Sequence, residues 1–552
     1  MGQTVDLREA PAFAEEPPEQ APVTQPKEWI TLYLTQGLHR AVEQSPSGSM
    51  LVGEGLTFSF REVRERVARL AGGLRTLGVR RDDRVAILSL NSLHYTEMLL
   101  AVPWADGVLV PVNTRWSTAE IVYALNDAGA THLFVDDTFA SSVATIVSQC
   151  EGLKAVVHQG REAASGVVAY EDLIDEHKPI ADAHRSGDDL AGLFYTGGTT
   201  GHPKGVMLTQ RNLMTSTLAG AAAGSLFGRG SRYLHVAPMF HLADLFAWNL
   251  VMVGGGTHYA IPSFEPERVL QLIEEHRIQG TTLVPTMIQM LTDHEDAAHR
   301  VLSSLEVVLY GAAPISMALL RRALAAFPAA RFTQAYGMTE AAAAVTLLMP
   351  EDHNVEGRRT SAGRPMLHTD IRIVDETGTE ADRGVIGEIT LRSDSVMLGY
   401  WNRPDETHAV LRDGWYFSGD AGYMDDNGYV FAVDRLKDLI ITGGENVYSV
   451  EVENAISSHP AVHSCAVIGI PDEKWGETVH AVVIRKPATQ VTEAEIRDHA
   501  RALIAGYKVP RSVDFVDSIP VSPAGKILKR ELRSTYRAMA ERRGVGGRTN
   551  LA

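Results

Sequence analysis

The chain has 552 residues, of which 45% are apolar and 22% are charged, and its formal net charge is −17. This length exceeds a single ordinary core, so two or more domains are expected, with the composition of a soluble globular protein. The acidic balance argues against a nucleic-acid partner, because binding to phosphate backbones requires clustered Lys and Arg.

The cysteines and the amino terminus give no sign of export or of membrane insertion. Cys150 and Cys465 lie far apart in the sequence and form neither a metal-binding spacing nor a disulfide framework. The amino terminus lacks the basic start and apolar segment of a signal peptide. The most apolar run, 99–112, is interrupted by Pro103 and Asp106 and is too short to span a bilayer. We therefore expect a cytoplasmic protein without a transmembrane segment.

The two ends of the chain lack the patterns of folded structure. Residues 1–28 are rich in Pro, Glu, Gln and Ala without periodicity, and they predict a disordered arm. Residues 541–552 have a similar character and predict a flexible tail.

Helix and strand signals alternate through the first four fifths of the chain. A capping box at Ser59 predicts a helix that ends at Gly78, and the strand-like run 85–90 follows it. A second capping box, at Ser117, precedes the strand-like run 132–136. This alternation predicts an α/β fold, in which parallel sheets are covered by helices, together with a small β subdomain where turns become frequent.

The pattern changes after residue 434. The following predicted elements are helix 449–458, strands 463–469 and 479–485, helix 492–505 and strand 513–517. They form a compact α+β unit of ordinary domain size. We therefore predict a large domain over 29–434, a hinge at 435–437 and a small carboxyl-terminal domain over 438–540.

The densest run of small and hydroxyl residues extends from Tyr195 to Gly205, after a strand-like segment. Three glycines and three threonines fall within 196–201, so the segment offers unblocked backbone N–H groups and hydroxyls to an anion. Lys204 adds a positive charge, while Pro203 and the lack of a Gly-Lys-Ser/Thr ending exclude a Walker loop. An ordinary turn needs only one or two glycines, so a phosphate-binding loop is predicted. Its residues are Thr196, Gly197, Gly198, Thr199, Thr200, Gly201 and Lys204.

This loop resembles the phosphate signature of the adenylate-forming superfamily, which contains acyl-CoA synthetases, adenylation domains of peptide synthetases, and luciferases. Seven further segments resemble motifs of that family: Pro238–Leu245, Gly311–Pro314, Gln334–Glu340, Trp415–Asp420, Asp434–Lys437, Gly443–Tyr448 and Pro523–Arg530. Their joint occurrence is far more specific than any one of them.

The resemblance implies ATP, Mg²⁺ and CoA as cofactor and co-substrates. By this resemblance Tyr336 stacks on adenine, Thr339 bonds the α-phosphate, and Glu340 with Thr196 holds Mg²⁺, which prefers oxygen ligands. Asp420 accepts the ribose hydroxyls, and Arg435 reaches the ribose or a phosphate. Backbone groups along the nucleotide come from Gly311, Ala312, Ala313, Gln334, Ala335, Gly337 and Met338.

The carboxyl-terminal motifs imply a catalytic lysine and a domain movement. Lys526 resembles the family's catalytic cation, which offsets the charge that builds on the α-phosphate. Lys437 is implied as the pivot, and Gly443, Gly444 and Glu445 as the lining of the CoA tunnel, where glycine permits close approach.

Three residues near these motifs are interpreted as structural. Lys529 and Arg530 are expected to form a solvated basic face. Ser449 stands where the family often has Pro, and we expect it to cap the following helix.

The acid-binding site is the part least determined by sequence. By resemblance His241 positions or gates the acid, although a histidine among apolar residues is also consistent with a structural role. The predicted pocket wall consists of Phe240, His241, Asp244, Trp248, Gly311, Met338 and Ala341. The alanines at 341–344 suggest space for a chain or ring, so a medium- or long-chain fatty acid is predicted, with an aryl acid as the alternative.

Together these features predict an AMP-forming acid–CoA ligase, whose adenylation and thioester steps share one site through rotation about Lys437. The alternatives are an adenylating enzyme that loads a carrier protein, a luciferase-like oxygenase, and a nucleotide-binding regulator without catalysis. The run from Gly443 to Asn446 and the run 471–477 favour the CoA ligase. A homodimer is a further expectation from the family.

Overall fold

The computed structural model describes residues 32–53, 55–160, 166–196, 202–224, 226–313, 315–472, 474–521 and 527–542, with side chains up to residue 537. The predicted arm at 1–28 lies outside these residues. The last helix runs from Lys529 to Arg542, so the first two residues of the predicted tail are helical.

Two large sheets form the body of the amino-terminal domain, within the described residues. The first sheet has the strand order Arg364–Pro365, Thr346–Leu348, Arg331–Tyr336, Val307–Gly311, Gly280–Leu283, Arg232–His235, Thr257–Ala260, Ser49–Gly53 and Leu56–Ser59. The second sheet has the order Gly399–Tyr400, Lys204–Thr209, Leu190–Thr196, Val108–Pro111, Arg84–Leu88, Ala130–Val135, Ala155–His158 and Val168–Ala169. Parallel pairing dominates the interior of both sheets, as the βα alternation predicted.

Two smaller sheets follow along the chain. The third, antiparallel sheet contains Asp370–Val374, Gly387–Arg392, Trp415–Met424, Leu411–Arg412 and Val430–Arg435. The fourth sheet belongs to the small carboxyl-terminal domain and contains Glu445–Val447, Ile440–Thr442, Gly476–Arg485, Val462–Asp472 and Ser512–Phe515. The predicted small β subdomain and α+β unit are therefore both present.

Short polar side chains cap the first turn of several described helices, among them those that follow Ser59, Ser92, Ser117, Thr209, Ser316 and Thr492. The described α-helices are Gln36–Gln44, Phe60–Thr76, Leu93–Trp104, Thr118–Ala128, Val143–Gln149, Tyr170–Asp175, Gln210–Ala222, Leu242–Val253, Pro266–Glu275, Pro285–Asp293, Met317–Ala326, Pro404–Val410, Ser449–Ser457, Glu493–Arg501 and Lys529–Arg542. The capping boxes predicted at Ser59 and Ser117 are formed, and Thr492 forms another with Glu495. The helix predicted to reach residue 505 ends at Arg501. No described helix has both the length and the apolar character needed to cross a membrane.

The main core lies where helices cover the two large sheets. Buried side chains such as Leu70, Leu100, Leu109 and Trp248 belong to one continuous apolar cluster. Parallel strands of both sheets end near the same region, at Thr196 in the second sheet and at Gly311 and Tyr336 in the first. Ligands of open α/β sheets bind outside such carboxyl ends, so the fold itself indicates where a site should lie.

One ion pair is enclosed within this core. Glu97 is 1% exposed, and its carboxylate accepts from Arg66 Nε at 2.5 Å and from the Tyr170 hydroxyl at 2.9 Å. Arg66 also bonds Glu171. The pair joins the helices Phe60–Thr76 and Leu93–Trp104, and removing one partner leaves the other charge buried.

We expect Arg66→Met to lower the free energy of unfolding by about 3–5 kcal/mol, because Glu97 would lose its counter-ion in the core. Arg69→Met is the matched control on the same helix, since Arg69 pairs with Glu65, which is half exposed. Arg69→Met should lower the free energy of unfolding by about 1 kcal/mol or less. Urea unfolding measures both, and equal losses would contradict the assignment of Arg66.

Candidate active site

Thr196 and Lys204 face each other where two antiparallel strands enter and leave the predicted phosphate loop. They are the last paired residues of the strands Leu190–Thr196 and Lys204–Thr209. Antiparallel pairing thus brings the two ends of the predicted phosphate loop together. The intervening Gly197, Gly198, Thr199, Thr200 and Gly201 lie outside the described residues.

Lys204 belongs to a group of charged and phenolic side chains. Its ammonium pairs with the Glu406 carboxylate and lies 4.8 Å from the centre of the Tyr400 ring. The Tyr400 hydroxyl donates to Glu340 Oε1 at 2.9 Å. Burial and then the Glu340 carboxylate raise the pKa of Tyr400, so this phenol remains a donor at neutral pH.

A second group centres on Asp420, which is 6% exposed. The Tyr336 hydroxyl donates to Asp420 Oδ2 at 2.7 Å, and Arg435 Nε lies 2.7 Å from Oδ1. Burial and then the Asp420 carboxylate raise the pKa of Tyr336 well above its usual value. Burial lowers the pKa of Arg435, but the charge of Asp420 together with Tyr336, Glu340 and Tyr416 outweighs it, and the pKa is raised. A phenol and a guanidinium therefore fix the orientation of this carboxylate.

Tyr416 connects the two groups. Burial and then the charge of Glu340 raise the pKa of Tyr416, with further contributions from Tyr400 and Asp420. We call the combined set the charged cluster. Its members are Lys204, Tyr336, Glu340, Tyr400, Glu406, Tyr416, Asp420 and Arg435.

Three members of the charged cluster were missed in the sequence. Tyr416 lies inside the segment Trp415–Asp420 but was not assigned a role. Tyr400 and Glu406 belong to an edge strand and a short helix without a distinctive local pattern. Only the pairing of Gly399–Tyr400 with Lys204–Thr209 reveals them.

The ends of two neighbouring strands carry the other predicted nucleotide contacts. Gly311 pairs with Ala335, and a Cβ on Gly311 would lie 2.2 Å from the Ala335 carbonyl oxygen. Ala312 adopts a φ of +66° and Ala313 follows it. Gln334 accepts a hydrogen bond from the Tyr310 hydroxyl at 3.3 Å. The backbones of the two strands are therefore too close at Gly311 for a larger residue.

The turn after Tyr336 folds back on itself. A Cβ on Gly337 would lie 1.7 Å from the Ala343 oxygen, and Met338 O accepts from the N–H groups of Ala341 and Ala343. Thr339 and Glu340 form a single 3₁₀ turn with Ala341. Ala342 and Ala343 have φ values of +52° and +88°. Ala341 is fully buried, so the alanines satisfy tight packing and do not provide the open space that the sequence predicted.

Two further residues of the predicted acyl wall lie behind the surface. Asp244 and Trp248 are both 0% exposed. Asp244 Oδ2 bonds His235 Nδ1 at 2.7 Å, and His235 Nε2 lies 3.0 Å from His258 Nδ1. The carboxylate of Asp244 is thus used within the protein, and the prediction that it lines the acyl pocket is wrong.

Phe240 and His241 lie at the start of the helix Leu242–Val253. Their ring centres are 4.3 Å apart, and Phe240 is buried while His241 is partly exposed. Of the predicted wall residues on this segment, His241 is the polar one that is partly exposed to solvent.

The predicted hinge lies between the third and fourth sheets. Lys437 is in the 3₁₀ turn Leu436–Asp438, and burial followed by the charge of Arg435 lowers its pKa. Gly443 and Gly444 have φ values of +61° and +85° and form the turn before Glu445–Val447. Gly443, Gly444 and Glu445 are exposed. Lys526 lies outside the described residues.

Two expectations about neighbouring residues are wrong. The Lys529 side chain is only 12% exposed and pairs with Glu453 at 2.7 Å, so it does not form a solvated face. Ser449 begins the helix but does not cap it, because its hydroxyl and its N–H both donate to Asp434 Oδ2. Their partners come from distant parts of the chain.

Two protein-family models match this chain. The family model described as AMP-binding enzyme matches residues 38–401, and the model described as its carboxyl-terminal domain matches 451–526. The chain belongs to the AMP-binding enzyme family.

The relatives of this AMP-binding enzyme include aryl- and fatty-acid ligases. Feruloyl-CoA synthase from Amycolatopsis sp is 40% identical over 90% of this chain and 98% of its own length. The medium/long-chain-fatty-acid–CoA ligase FadD8 from Mycobacterium tuberculosis is 35% identical over 86% of this chain and 85% of its own. The crystal structure of the anthranilate CoA ligase AuaEII in complex with anthranoyl-AMP covers 93% of this chain and 99% of its own, with 25% identity and a TM-score of 0.87. This AMP-binding enzyme is accordingly an acid–CoA ligase that uses ATP and CoA.

The buried histidine pair gives the AMP-binding enzyme a pH-dependent stability. Burial and then the charge of His235 lower the pKa of His258 well below 6.5. Below about pH 6.5 the unfolded chain therefore binds a proton that the folded chain does not, and the free energy of unfolding falls as the pH falls.

We expect His258→Gln to remove this contribution. The variant should be less stable than the wild type at pH 7.5, and the difference should shrink by about 1 kcal/mol at pH 5.5. Urea unfolding at the two pH values checks this. A loss of stability that is the same at both pH values would show that His258 does not carry the effect.

Proposed function

We propose that this acid–CoA ligase converts a carboxylic acid to an acyl-adenylate with ATP and Mg²⁺ and then transfers the acyl group to CoA at the same site. The observation that carries the proposal is the charged cluster, which gathers cations, carboxylates and phenols at the strand ends of both large sheets. In a chain of net charge −17, such local cations are what an anionic nucleotide requires.

The nucleotide is proposed to lie along the strand ends at Gly311 and Tyr336. Asp420 is suited to accept two ribose hydroxyls, because Tyr336 and Arg435 hold its carboxylate in one orientation. The bond to Asp420 also fixes the plane of the Tyr336 ring for stacking on adenine. Lys204 is proposed to neutralise a phosphate after release from Glu406.

The proposed Mg²⁺ ligands are the Glu340 carboxylate and the Thr196 hydroxyl. Both are hard oxygen donors, and Glu340 Oε1 is already oriented by Tyr400, so the donor set fits the ion. The ion would neutralise charge on the phosphates. Thr339 is proposed to bond the α-phosphate beside it.

The catalytic step is proposed to be in-line attack by the acid's carboxylate on the α-phosphorus, with pyrophosphate leaving. His241 is proposed to position the acid and Lys526 to stabilise the charge that builds in the transition state. Rotation at 435–437 would then bring Gly443, Gly444 and Glu445 to the site for CoA. The CoA sulfur attacks the acyl carbon, and AMP leaves.

We propose an aryl acid as the substrate, ahead of the fatty acid that the sequence favoured. Ala341 is fully buried and the turn around Gly337 is tightly packed, so this part of the predicted wall leaves little open space for a long chain. The name of the 40% identical feruloyl-CoA synthase supports the same class. A fatty acid is the second candidate, supported by the 35% identical FadD8.

The activity is tested by giving the purified chain ATP, Mg²⁺ and a panel of acids, with and without CoA. Ferulate, benzoate, octanoate and palmitate cover the two classes. We expect pyrophosphate release and a CoA thioester, identified by mass, with kcat/KM for the best aryl acid at least about tenfold above that for the fatty acids.

The panel separates the alternatives. Without CoA, an enzyme of this type should release about one pyrophosphate per site and then stop. Release without any thioester would point to a carrier-loading enzyme, and a preference for palmitate or octanoate would overturn the aryl assignment. No release with any acid would end the ligase proposal.

Asp420→Asn is expected to raise KM for ATP by about tenfold, because the amide cannot balance Arg435 or accept both ribose hydroxyls. Asp352→Asn is a matched control. Asp352 is also 6% exposed and accepts from a tyrosine, Tyr429, at 2.7 Å and from an arginine, Arg358, at 3.1 Å. Initial-rate kinetics should show an ATP effect only for Asp420, and a similar KM change in both variants would argue against its proposed role.

A further inference from the structure

The Asp434 carboxylate connects the two sides of the proposed hinge. Asp434 lies in the strand Val430–Arg435 of the third sheet, before the hinge, whereas Ser449 begins the helix Ser449–Ser457 after it. Asp434 Oδ2 accepts from the Ser449 N–H at 2.6 Å and from the Ser449 hydroxyl. Two hydrogen bonds to one carboxylate oxygen thus connect a residue before 435–437 with a residue after it.

A buried lysine completes this connection from the last helix. Lys529 Nζ donates to Ser449 Oγ at 2.5 Å and pairs with Glu453 Oε1 at 2.7 Å. Glu453 Oε1 also accepts from the Val467 N–H at 2.8 Å. The Ser449 hydroxyl therefore receives a bond from an ammonium and gives one to a carboxylate, an arrangement in which each bond strengthens the other.

Ser449 is suited to this role by its place in the helix. It is the first helical residue, where the N–H has no partner within the helix and where Pro is normally well tolerated. Its N–H is instead satisfied by Asp434, while the preceding Tyr448 gives no side-chain cap. The carboxylate also faces the positive end of the helix. Asp434 thus caps this helix from the other side of the hinge.

The proposed CoA segment is exposed on the small domain in this structure. Gly443, Gly444, Glu445 and Asn446 are exposed, and Gly443 N–H donates to the Trp475 oxygen within the same domain at 2.8 Å. A segment that lines a tunnel between two domains would be covered on one side.

We propose that Asp434, Ser449 and Lys529 form a hinge latch, which stabilises this arrangement and must open before the CoA step. The latch rests on the proposed function, because it concerns the balance between the two half-reactions. Asp434, Ser449 and Lys529 are positioning residues: they act through the orientation of the small domain.

The test measures the two half-reactions separately in the full-length enzyme. Adenylation is followed by acid-dependent exchange of pyrophosphate into ATP without CoA. Transfer is followed in a single turnover, by adding CoA to enzyme that already holds the acyl-adenylate.

Ser449→Pro removes both donors at a position where Pro fits the helix. We expect the ratio of the transfer rate to the exchange rate to rise by about tenfold, which corresponds to one charge-assisted hydrogen bond. Ser449→Ala, which keeps the N–H, should give a smaller rise. Ser449→Thr keeps both donors and should restore the wild-type ratio.

Ser458→Ala is the matched control on the helix end. Its hydroxyl bonds Ala455 O and His499 within the small domain, so the ratio should stay at the wild-type value. If Ser449→Pro and Ser449→Ala leave the ratio unchanged, or slow both half-reactions equally, the latch is overturned while the ligase proposal stands. A wild-type enzyme without any exchange overturns the ligase proposal and the latch with it.

Discussion

The Asp420 carboxylate, held by the Tyr336 hydroxyl and the Arg435 guanidinium, is the interaction on which the organisation of the site depends. Tyr336 ends a strand of the first large sheet, whereas Asp420 and Arg435 are paired across two strands of the third sheet. One carboxylate therefore ties two sheets together at the point where their backbones leave the core. Because Arg435 is also the first residue of the proposed hinge, the same contact connects the proposed nucleotide site with the start of the small carboxyl-terminal domain.

A strongly acidic chain that handles a triphosphate must concentrate its cations. Lys204 and Arg435 each have a carboxylate partner, Glu406 and Asp420 respectively, so neither charge is left uncompensated before a ligand arrives. Buried or half-buried ion pairs of this kind contribute little net stability but fix geometry. The Tyr400 hydroxyl bonds Glu340, and the charges of Glu340 and Asp420 both raise the pKa of Tyr416. The two groups of the charged cluster therefore influence each other.

A short stretch of chain with many charged residues joins the two domains. Asp434, Arg435, Lys437 and Asp438 each bond or face a group in a different element, and Asp438 pairs with Arg533 of the last helix at 2.5 Å. The proposed hinge is therefore held by ion pairs, and breaking them has a free-energy cost.

The sequence by itself determined the local elements and the nucleotide motifs. Capping boxes at Ser59, Ser117 and Thr492 depend only on neighbours three residues away. Gly311 and Gly337 stand where the backbone is too close to a neighbouring strand or turn for a Cβ atom. The α/β class, the smaller second domain and the ligase family follow from these local signals.

Only the tertiary structure decided which side chains meet. Tyr400 and Glu406 join Lys204 across about two hundred residues of chain, and Lys529 reaches Ser449 across eighty. Asp244, which the sequence predicted as part of the pocket wall, bonds His235 in the core instead. Long-range electrostatic pairing leaves no periodic trace along the chain, because it depends on where the sheets place each strand end and not on the neighbours of each residue.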